Sequence, residues 1–156
     1  MDDAGLLAAA RDPHVRARFD AKVRRVDELD CWLWTGAISG QGHGRFWVRD
    51  GVVVIAHRYA YAAALEMSCT TLPAVLAHRC DNPLCQNPGH LWASSAGENR
   101  REWIARRDTV AGPLRDRRGA RGRARAVRDA AKAGADITEV MSAGLRPVDR
   151  DQGSLW

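Results

Sequence analysis

The chain has 156 residues, of which 46% are apolar and 28% are charged, and these proportions are typical of a soluble globular protein. No apolar run approaches the roughly 20 residues of a membrane span, and the acidic start Met1-Asp2-Asp3 is unlike a signal peptide. We therefore expect one modest domain with an extension, located in the cytoplasm and without a membrane partner.

The net charge is +5, and all basic residues except Lys22 and Lys132 are arginines. Guanidinium groups bind phosphates through two parallel hydrogen bonds, so this composition favours a nucleic-acid partner. Codon bias in a GC-rich genome also explains the ratio of arginine to lysine, but it does not explain the clustering of arginines described below.

The first third of the chain predicts helices followed by strands. Apolar residues in 4–28 recur at helical spacing, with a break at Asp12-Pro13. The apolar run 31–34 is typical of a short strand. Asp50-Gly51 joins two β-rich runs, 45–49 and 52–57, and therefore predicts a hairpin.

The middle of the chain predicts a helix over 58–67, a strand over 75–78 and a loop over 79–90. A second short strand over 91–93 then leads into a helix that begins near Ala96, capped by Ser94 or Ser95. Beyond these elements we expect two short helices, over 123–133 and 136–143, and a loose tail in the last dozen residues.

The loop contains residues that suit a metal ion. Four residues separate Cys80 from Cys85, and four separate Cys85 from His90. Two thiolates and one imidazole suit tetrahedral zinc, and Cys31 is the best candidate for the fourth ligand. The alternative is a set of ordinary buried cysteines, but a loop rich in proline and glycine is not a core segment. Cys69 fits no ligand spacing, and we expect it to be a small buried residue.

Two further residues flank this loop, namely His78 before it and Asn99 in the helix that follows. A neutral histidine takes a proton from water, and an amide oxygen suits a hard ion such as Mg2+. Together they would supply an activated nucleophile and a Lewis acid for phosphodiester hydrolysis. From spacing alone, structural roles for both residues are the alternative, because single histidines and asparagines are usually structural.

The run from His78-Arg-Cys80 to His90-Leu, followed nine residues later by Asn99, resembles the HNH endonuclease superfamily. It is most similar to the His-Cys box homing endonucleases and the phage-type HNH enzymes. The upstream segments Cys31-Trp-Leu-Trp-Thr-Gly36, Gly42-His-Gly44 and Ala56-His-Arg58 resemble phage-type members in the same order. The resemblance covers roughly residues 17–107. The second zinc site of the homing enzymes is absent, because no cysteine follows Cys85.

The resemblance implies an α+β fold with a small ββα-metal (His-Me finger) core, preceded by a β-hairpin and a helix and followed by short helices. It divides the chain into a helical segment (1–30), a nuclease domain (31–107) and an arginine-rich extension (108–156). It also implies residue roles. His78 would be the general base and Asn99 the ligand of one catalytic Mg2+; Arg58, with His57, would lie near the scissile phosphate, and Asn87 would brace the loop. One structural Zn2+ per chain would be held by Cys31, Cys80, Cys85 and His90.

DNA contacts are expected from two regions. Eleven arginines lie between Arg100 and Arg128 against three acidic residues, and the hairpin that begins at Arg45 is able to enter a major groove. A solvated helix face is the alternative for the arginines. For most of the tryptophans, core packing is favoured over base stacking. The arginines expected to bind DNA are Arg45, Arg100, Arg101, Arg106 and Arg107.

The leading hypothesis is therefore a metal-dependent endonuclease that cuts double-stranded DNA, either a phage or homing-type enzyme or a restriction enzyme. A homodimer is expected if both strands are cut symmetrically. The alternative is a zinc-stabilised DNA-binding module without cleavage activity, and a third possibility is an RNA-directed nuclease toxin. Only a nuclease requires both His78 and Asn99.

Overall fold

A computed structural model describes residues 1–65, 71–107, 109 and 112–151, and within them the chain has a mixed α+β architecture. The helices are α1 Asp3–Arg11, α2 Pro13–Asp20, α3 Ala56–Ala64, α4 Ala96–Arg106, α5 Gly119–Ala133, α6 Ile137–Ser142 and α7 Pro147–Asp151. The strands are β1 Val23–Val26, β2 Cys31–Trp34, β3 Arg45–Arg49, β4 Val52–Ile55, β5 Val75–His78 and β6 Leu91–Ser94. The expectation for Cys69 lies outside the described residues.

The strands form three separate antiparallel pairs, β1 with β2, β3 with β4, and β5 with β6. The first pair corrects the prediction that residues 4–28 are entirely helical. Val23 pairs with Trp34 and Val26 with Cys31. These valines fit the helical spacing of the preceding residues, but they lie in a strand. The predicted break before Pro13 is confirmed, since the Asp12 side chain caps α2.

The predicted hairpin is confirmed, with Gly51 in a left-handed conformation at its turn. Its second strand is shorter than predicted, because the chain enters α3 at Ala56 instead of continuing to His57. Helix α3 then ends at Ala64, and the last residues of the predicted helix lie outside the described residues. The β5 and β6 strands are confirmed, with His78 paired to Leu91.

The C-terminal region is more structured than predicted. Helix α5 begins at Gly119, not near residue 123, so the glycines of this stretch do not interrupt it. A further helix, α7, occupies part of the segment that was expected to be a loose tail. The domain boundaries stay a prediction, but buried side chains from all three predicted segments, such as Phe19, Trp34 and Val127, belong to one apolar cluster.

Four aromatic rings form the centre of this cluster. Phe19 lies 5.3 Å from Trp34 and 4.7 Å from Tyr59 between ring centroids, and Phe46 meets Tyr59 at 4.8 Å. These tilted and edge-on contacts join α2, β2, β3 and α3. Core packing is thus confirmed for Trp34, but it is wrong for the exposed Trp47 and Trp103, at 51% and 44% exposure.

A capping box starts α4. The Ser95 hydroxyl accepts from the backbone N–H of Glu98, and the Glu98 carboxylate accepts from the N–H of Ser95. We predict that Ser95→Ala lowers the free energy of unfolding by about 1 kcal/mol. Ser95→Asp retains a hydrogen-bond acceptor, so its free energy of unfolding should stay close to that of the wild type. Urea denaturation measures both, and equal stability of Ser95→Ala and the wild type would contradict the role of the cap.

Among the described residues, no helix is both long enough and apolar enough to cross a membrane.

Candidate metal centre and active site

The four predicted zinc ligands converge in the structure. Their ligand atoms all lie within 4.8 Å of one another. The Nδ1 atom of His90 is 3.5 Å from the sulfur of Cys85 and 3.7 Å from that of Cys31. The group that we call the tetrad is Cys31, Cys80, Cys85 and His90.

Backbone hydrogen bonds between β2 and the loop bring the tetrad together. The N–H of Trp34 donates to the carbonyl of Leu84 at 2.9 Å, and the N–H of Gln86 donates to the carbonyl of Trp32 at 2.7 Å. An isolated bridge pairs Leu33 with Cys85 between these bonds. Cys31, at the start of β2, is thereby fixed against a loop that follows it by about fifty positions in sequence.

Side chains around His90 hold its ring in place. Its Nε2 atom lies 3.5 Å from the Asp30 carboxylate, on the side of the ring opposite the thiols. This arrangement is typical of metal-ligating histidines, which bind the metal with one nitrogen and donate the other to a carboxylate. Asn87 braces the same loop, because its amide donates to the Asp30 carbonyl and accepts from the N–H of Gly89. The predicted bracing role of Asn87 is thus confirmed.

The thiols are close enough to perturb one another. Hydrogen bonds from Cys31 and Cys80 stabilise a thiolate at Cys85 and lower its pKa. Hydrogen bonds with Cys80 and Cys85 raise the pKa of Cys31. A divalent cation would relieve the repulsion that additional thiolates would create. Three sulfurs and one imidazole at this spacing can hold a metal ion such as zinc.

His78 contacts the back of the same loop. Its Nε2 atom is 3.1 Å from the carbonyl oxygen of Cys85. A carbonyl only accepts, so Nε2 carries the proton and Nδ1 of the neutral ring is left with a lone pair. Burial lowers the pKa of His78, which favours this neutral form. Cys85 therefore serves the tetrad through its sulfur and orients His78 through its carbonyl.

Two other imidazoles lie beside His78. The ring centroid of His57 is 4.8 Å away in an edge-on contact, and that of His43 is 6.2 Å away. Burial and neighbouring positive charge lower the pKa of His57 to about 2, so its ring is neutral. His57, predicted to lie near the scissile phosphate, is thus beside the candidate base but is only 6% exposed.

His78 and Asn99 line the same cavity, whose volume is about 650 Å³. His78 ends β5, and Asn99 lies in the first turn of α4, where its N–H donates to the Ser95 carbonyl. The sequence predicts that these two side chains lie on opposite sides of one gap. In the structure, the β5–β6 hairpin and α4 bring both to one cavity. Asp81 and His43 also line it.

The C-terminal extension forms another wall of this cavity. Arg123 and Asp116 line it, and Asp116 lies 3.8 Å from Arg123 and forms a close ion pair with Arg118. Gly42, at φ +87°, lets the His43 loop approach α5, because a Cβ there would lie 2.8 Å from that of Ala124. No pattern in the sequence indicated that residues beyond 112 would reach the site.

The predicted DNA-binding arginines are divided between locations. Arg100, Arg106 and Arg107 line the cavity, and Arg106 is paired at 3.2 Å with both Asp81 and Glu102. Arg101 is exposed on α4, outside the cavity lining. Arg45 is exposed on the hairpin.

Arg58 does not line the cavity. Its guanidinium donates to the carbonyl of Pro73 at 2.9 Å and lies 3.6 Å from the Asp3 carboxylate. These contacts tie α3 to the following connector and to α1. In this structure Arg58 links α3 to the connector and to α1. The arginines that line the cavity come instead from α4 and α5.

Sequence comparison finds two phage proteins that are similar to part of the chain. Protein 2.8 of Escherichia phage T7 is 36% identical over 81 residues, which are 51% of this chain and 53% of the relative. Protein 7.7 of the same phage is 35% identical over 77 residues, or 49% of this chain and 57% of the relative. The chain spans about half the length of the curated relatives it matches. No protein-family model and no solved structure matches it.

Proposed function

We propose that the protein is a metal-dependent endonuclease that hydrolyses double-stranded DNA with a ββα-metal core formed by β5, β6 and α4. The observation that carries the proposal is the 3.1 Å contact between Nε2 of His78 and the carbonyl oxygen of Cys85, which assigns the proton to Nε2 and the lone pair to Nδ1. Asn99 lies at the same cavity and supplies an oxygen. A DNA-binding module without cleavage activity would need neither feature.

In the proposed reaction, Nδ1 of His78 takes a proton from a water molecule as that water attacks the phosphorus. The bond from phosphorus to the leaving ester oxygen breaks, and this oxygen takes a proton from solvent water. The hydrogen bond at Nε2 keeps the ring in place and stabilises the imidazolium that forms. The neighbouring imidazoles of His43 and His57 are neutral, so they add no positive charge that would oppose this protonation. When filled by one structural Zn2+, the tetrad would hold the loop that carries Cys85, whose carbonyl contacts His78.

The chain offers the amide oxygen of Asn99 to a catalytic Mg2+. When bound, this ion would act as a Lewis acid that stabilises the charge developing on the phosphate and the leaving oxygen. A single neutral oxygen makes a weak site, which fits the preference of Mg2+ for water and substrate phosphate as its remaining ligands. We therefore expect the ion to bind firmly only together with DNA.

Arginines on two surfaces would position the duplex. Arg100 and Arg107 at the cavity are suited to phosphates on either side of the scissile bond, and the exposed Arg45, Trp47 and Arg49 of β3 are suited to a groove. A homodimer is part of the proposal, because one active site per chain cuts both strands symmetrically only when two chains act together.

The test of this function is cleavage of supercoiled plasmid with Mg2+ by the wild type, Asn99→Ala and Asn99→Asp. We predict that alanine lowers the rate about 10²–10³-fold, since a metal contributes several kcal/mol to such reactions. Asn99→Asp keeps an oxygen ligand and retains much more activity. Asn99 is exposed on a helix, where alanine is well tolerated, so folding is not the confounding factor.

The two candidate functions give different results in this assay. Cleavage that requires Mg2+ and is lost in Asn99→Ala supports the nuclease. Salt-dependent retention of labelled duplex DNA, without cleavage in Mg2+ or Mn2+, would instead support the binding module. Full activity of Asn99→Ala would contradict the metal-ligand role.

A further inference from the structure

A second group of metal-ligating side chains lies outside the tetrad. His43, His57 and His78 each offer a ring nitrogen, and these nitrogens lie within 4.8 Å of one another. The three residues come from different parts of the fold, namely the loop before β3, the first turn of α3 and the end of β5. We call this group the histidine triad.

The nitrogens of the histidine triad are available to a metal. His57 is 6% exposed, and its Nδ1 atom has no hydrogen-bond partner among the described residues. A buried nitrogen without a partner is unfavourable, so such a group indicates a missing ligand. Within the described part of the chain, His78 is engaged through Nε2, by the carbonyl of Cys85. Burial lowers the pKa of His43 and His57, which keeps a lone pair on each ring free of a proton.

We propose that the histidine triad is a binding site for a transition-metal dication of the Zn2+, Co2+ or Ni2+ class, distinct from both the tetrad and the Mg2+ position. Imidazole ligands prefer these ions, whereas Mg2+ prefers oxygen. Bonds of about 2.0–2.1 Å require the nitrogens to close to roughly 3.4 Å. His43 borders the cavity, so the remaining coordination positions of the metal would be open to water.

Occupation of the histidine triad has a consequence for cleavage, and this part rests on the proposed function. The metal would use the same lone pair of His78 that takes the proton from water. His78 cannot bind a metal and accept a proton with the same lone pair, so metal bound at the histidine triad would inhibit cleavage. Zn2+ would thus support activity at the tetrad and suppress it at the histidine triad.

The test is a titration of the full-length, zinc-loaded protein with Co2+, followed by visible absorption and metal analysis. We expect the wild type to bind one further equivalent, with ligand-field bands but without the near-ultraviolet thiolate-to-metal bands that mark the tetrad. His43→Ala should weaken this binding at least tenfold while the tetrad zinc is retained. His57→Gln is the second variant, and His14→Ala, which removes an exposed histidine on α2, is the matched control.

A wild type that takes up no metal beyond the tetrad would overturn the proposal, as would a His43→Ala variant that binds Co2+ like the wild type. Plasmid cleavage in Mg2+ with added micromolar Zn2+ gives the second measurement, in which inhibition should be weaker for His43→Ala. If no protein cleaves DNA under any condition, the proposed function fails, but the Co2+ titration still decides whether the histidine triad binds metal.

Discussion

Replacement of His78 by alanine is expected to slow plasmid cleavage in Mg2+ about 10²–10⁴-fold, the usual contribution of a positioned general base. The physical reason is the loss of Nδ1, the ring nitrogen that the hydrogen bond to Cys85 leaves with a lone pair. Binding of duplex DNA should change little, because the arginines of α4 that we propose to bind phosphate are untouched. The measurement is the single-turnover rate, with retention of DNA on a filter as the binding control.

Two further observations separate a catalytic role of His78 from a structural one. His14→Ala, the matched control on the exposed face of α2, should cleave like the wild type. Added imidazole should restore part of the activity of His78→Ala, since the alanine leaves space for a free base at the cavity. If His78→Ala cuts as fast as the wild type while Asn99→Ala is impaired, the base must be another group and the mechanism proposed here is wrong.

The second large effect is expected at Cys85. We predict that Cys85→Ser loses the metal and most of the stability of the folded chain, because structural zinc contributes roughly 10 kcal/mol or more to folding in small domains. The Cys85 sulfur is fully buried within the tetrad, and a serine oxygen is a poorer ligand for zinc than a thiolate. Metal analysis should find about one zinc per wild-type chain, and thermal unfolding should show a much lower midpoint for the variant.

Cys69→Ser is the matched control for this experiment, because the sequence assigns that cysteine no ligand role. It should retain one zinc, and its midpoint should fall much less than that of Cys85→Ser. A chelator strong enough to strip the tetrad should abolish cleavage even after excess Mg2+ is added, since the loop that orients His78 is then no longer fixed. A folded, metal-free wild type of unchanged stability would refute a structural zinc.

The tetrad was predictable from the sequence because its spacing is local. Three of its ligands fall within eleven positions of a single loop, and the run at Cys31 had the pattern of a strand. The hairpin was predictable for a similar reason, since Asp50-Gly51 suits only a tight turn. The position of Asn99 was predictable from the cap at Ser95.

Features that depend on distant contacts were missed. Val23 and Val26 follow Phe19 at helical spacing, so the sequence pattern predicts a helix there. They form a strand because they pair with β2, a contact that the local pattern does not indicate. The glycines at the start of α5 suggested a break, but packing against the Gly42 loop stabilises a helix there. The histidine triad joins residues 43, 57 and 78, and no local spacing indicates that they meet. The tethering of Arg58 to Pro73 likewise depends on contacts that no motif encodes.

The first and last ligands of the tetrad, Cys31 and His90, are separated by 59 positions. During synthesis, Cys31 leaves the ribosome well before His90, so the centre closes only once this whole stretch has emerged and an ion has arrived. Until then the carbonyl of Cys85 has no fixed position from which to orient His78. Under the proposed mechanism, a nascent chain whose tetrad is still open therefore cannot cut DNA.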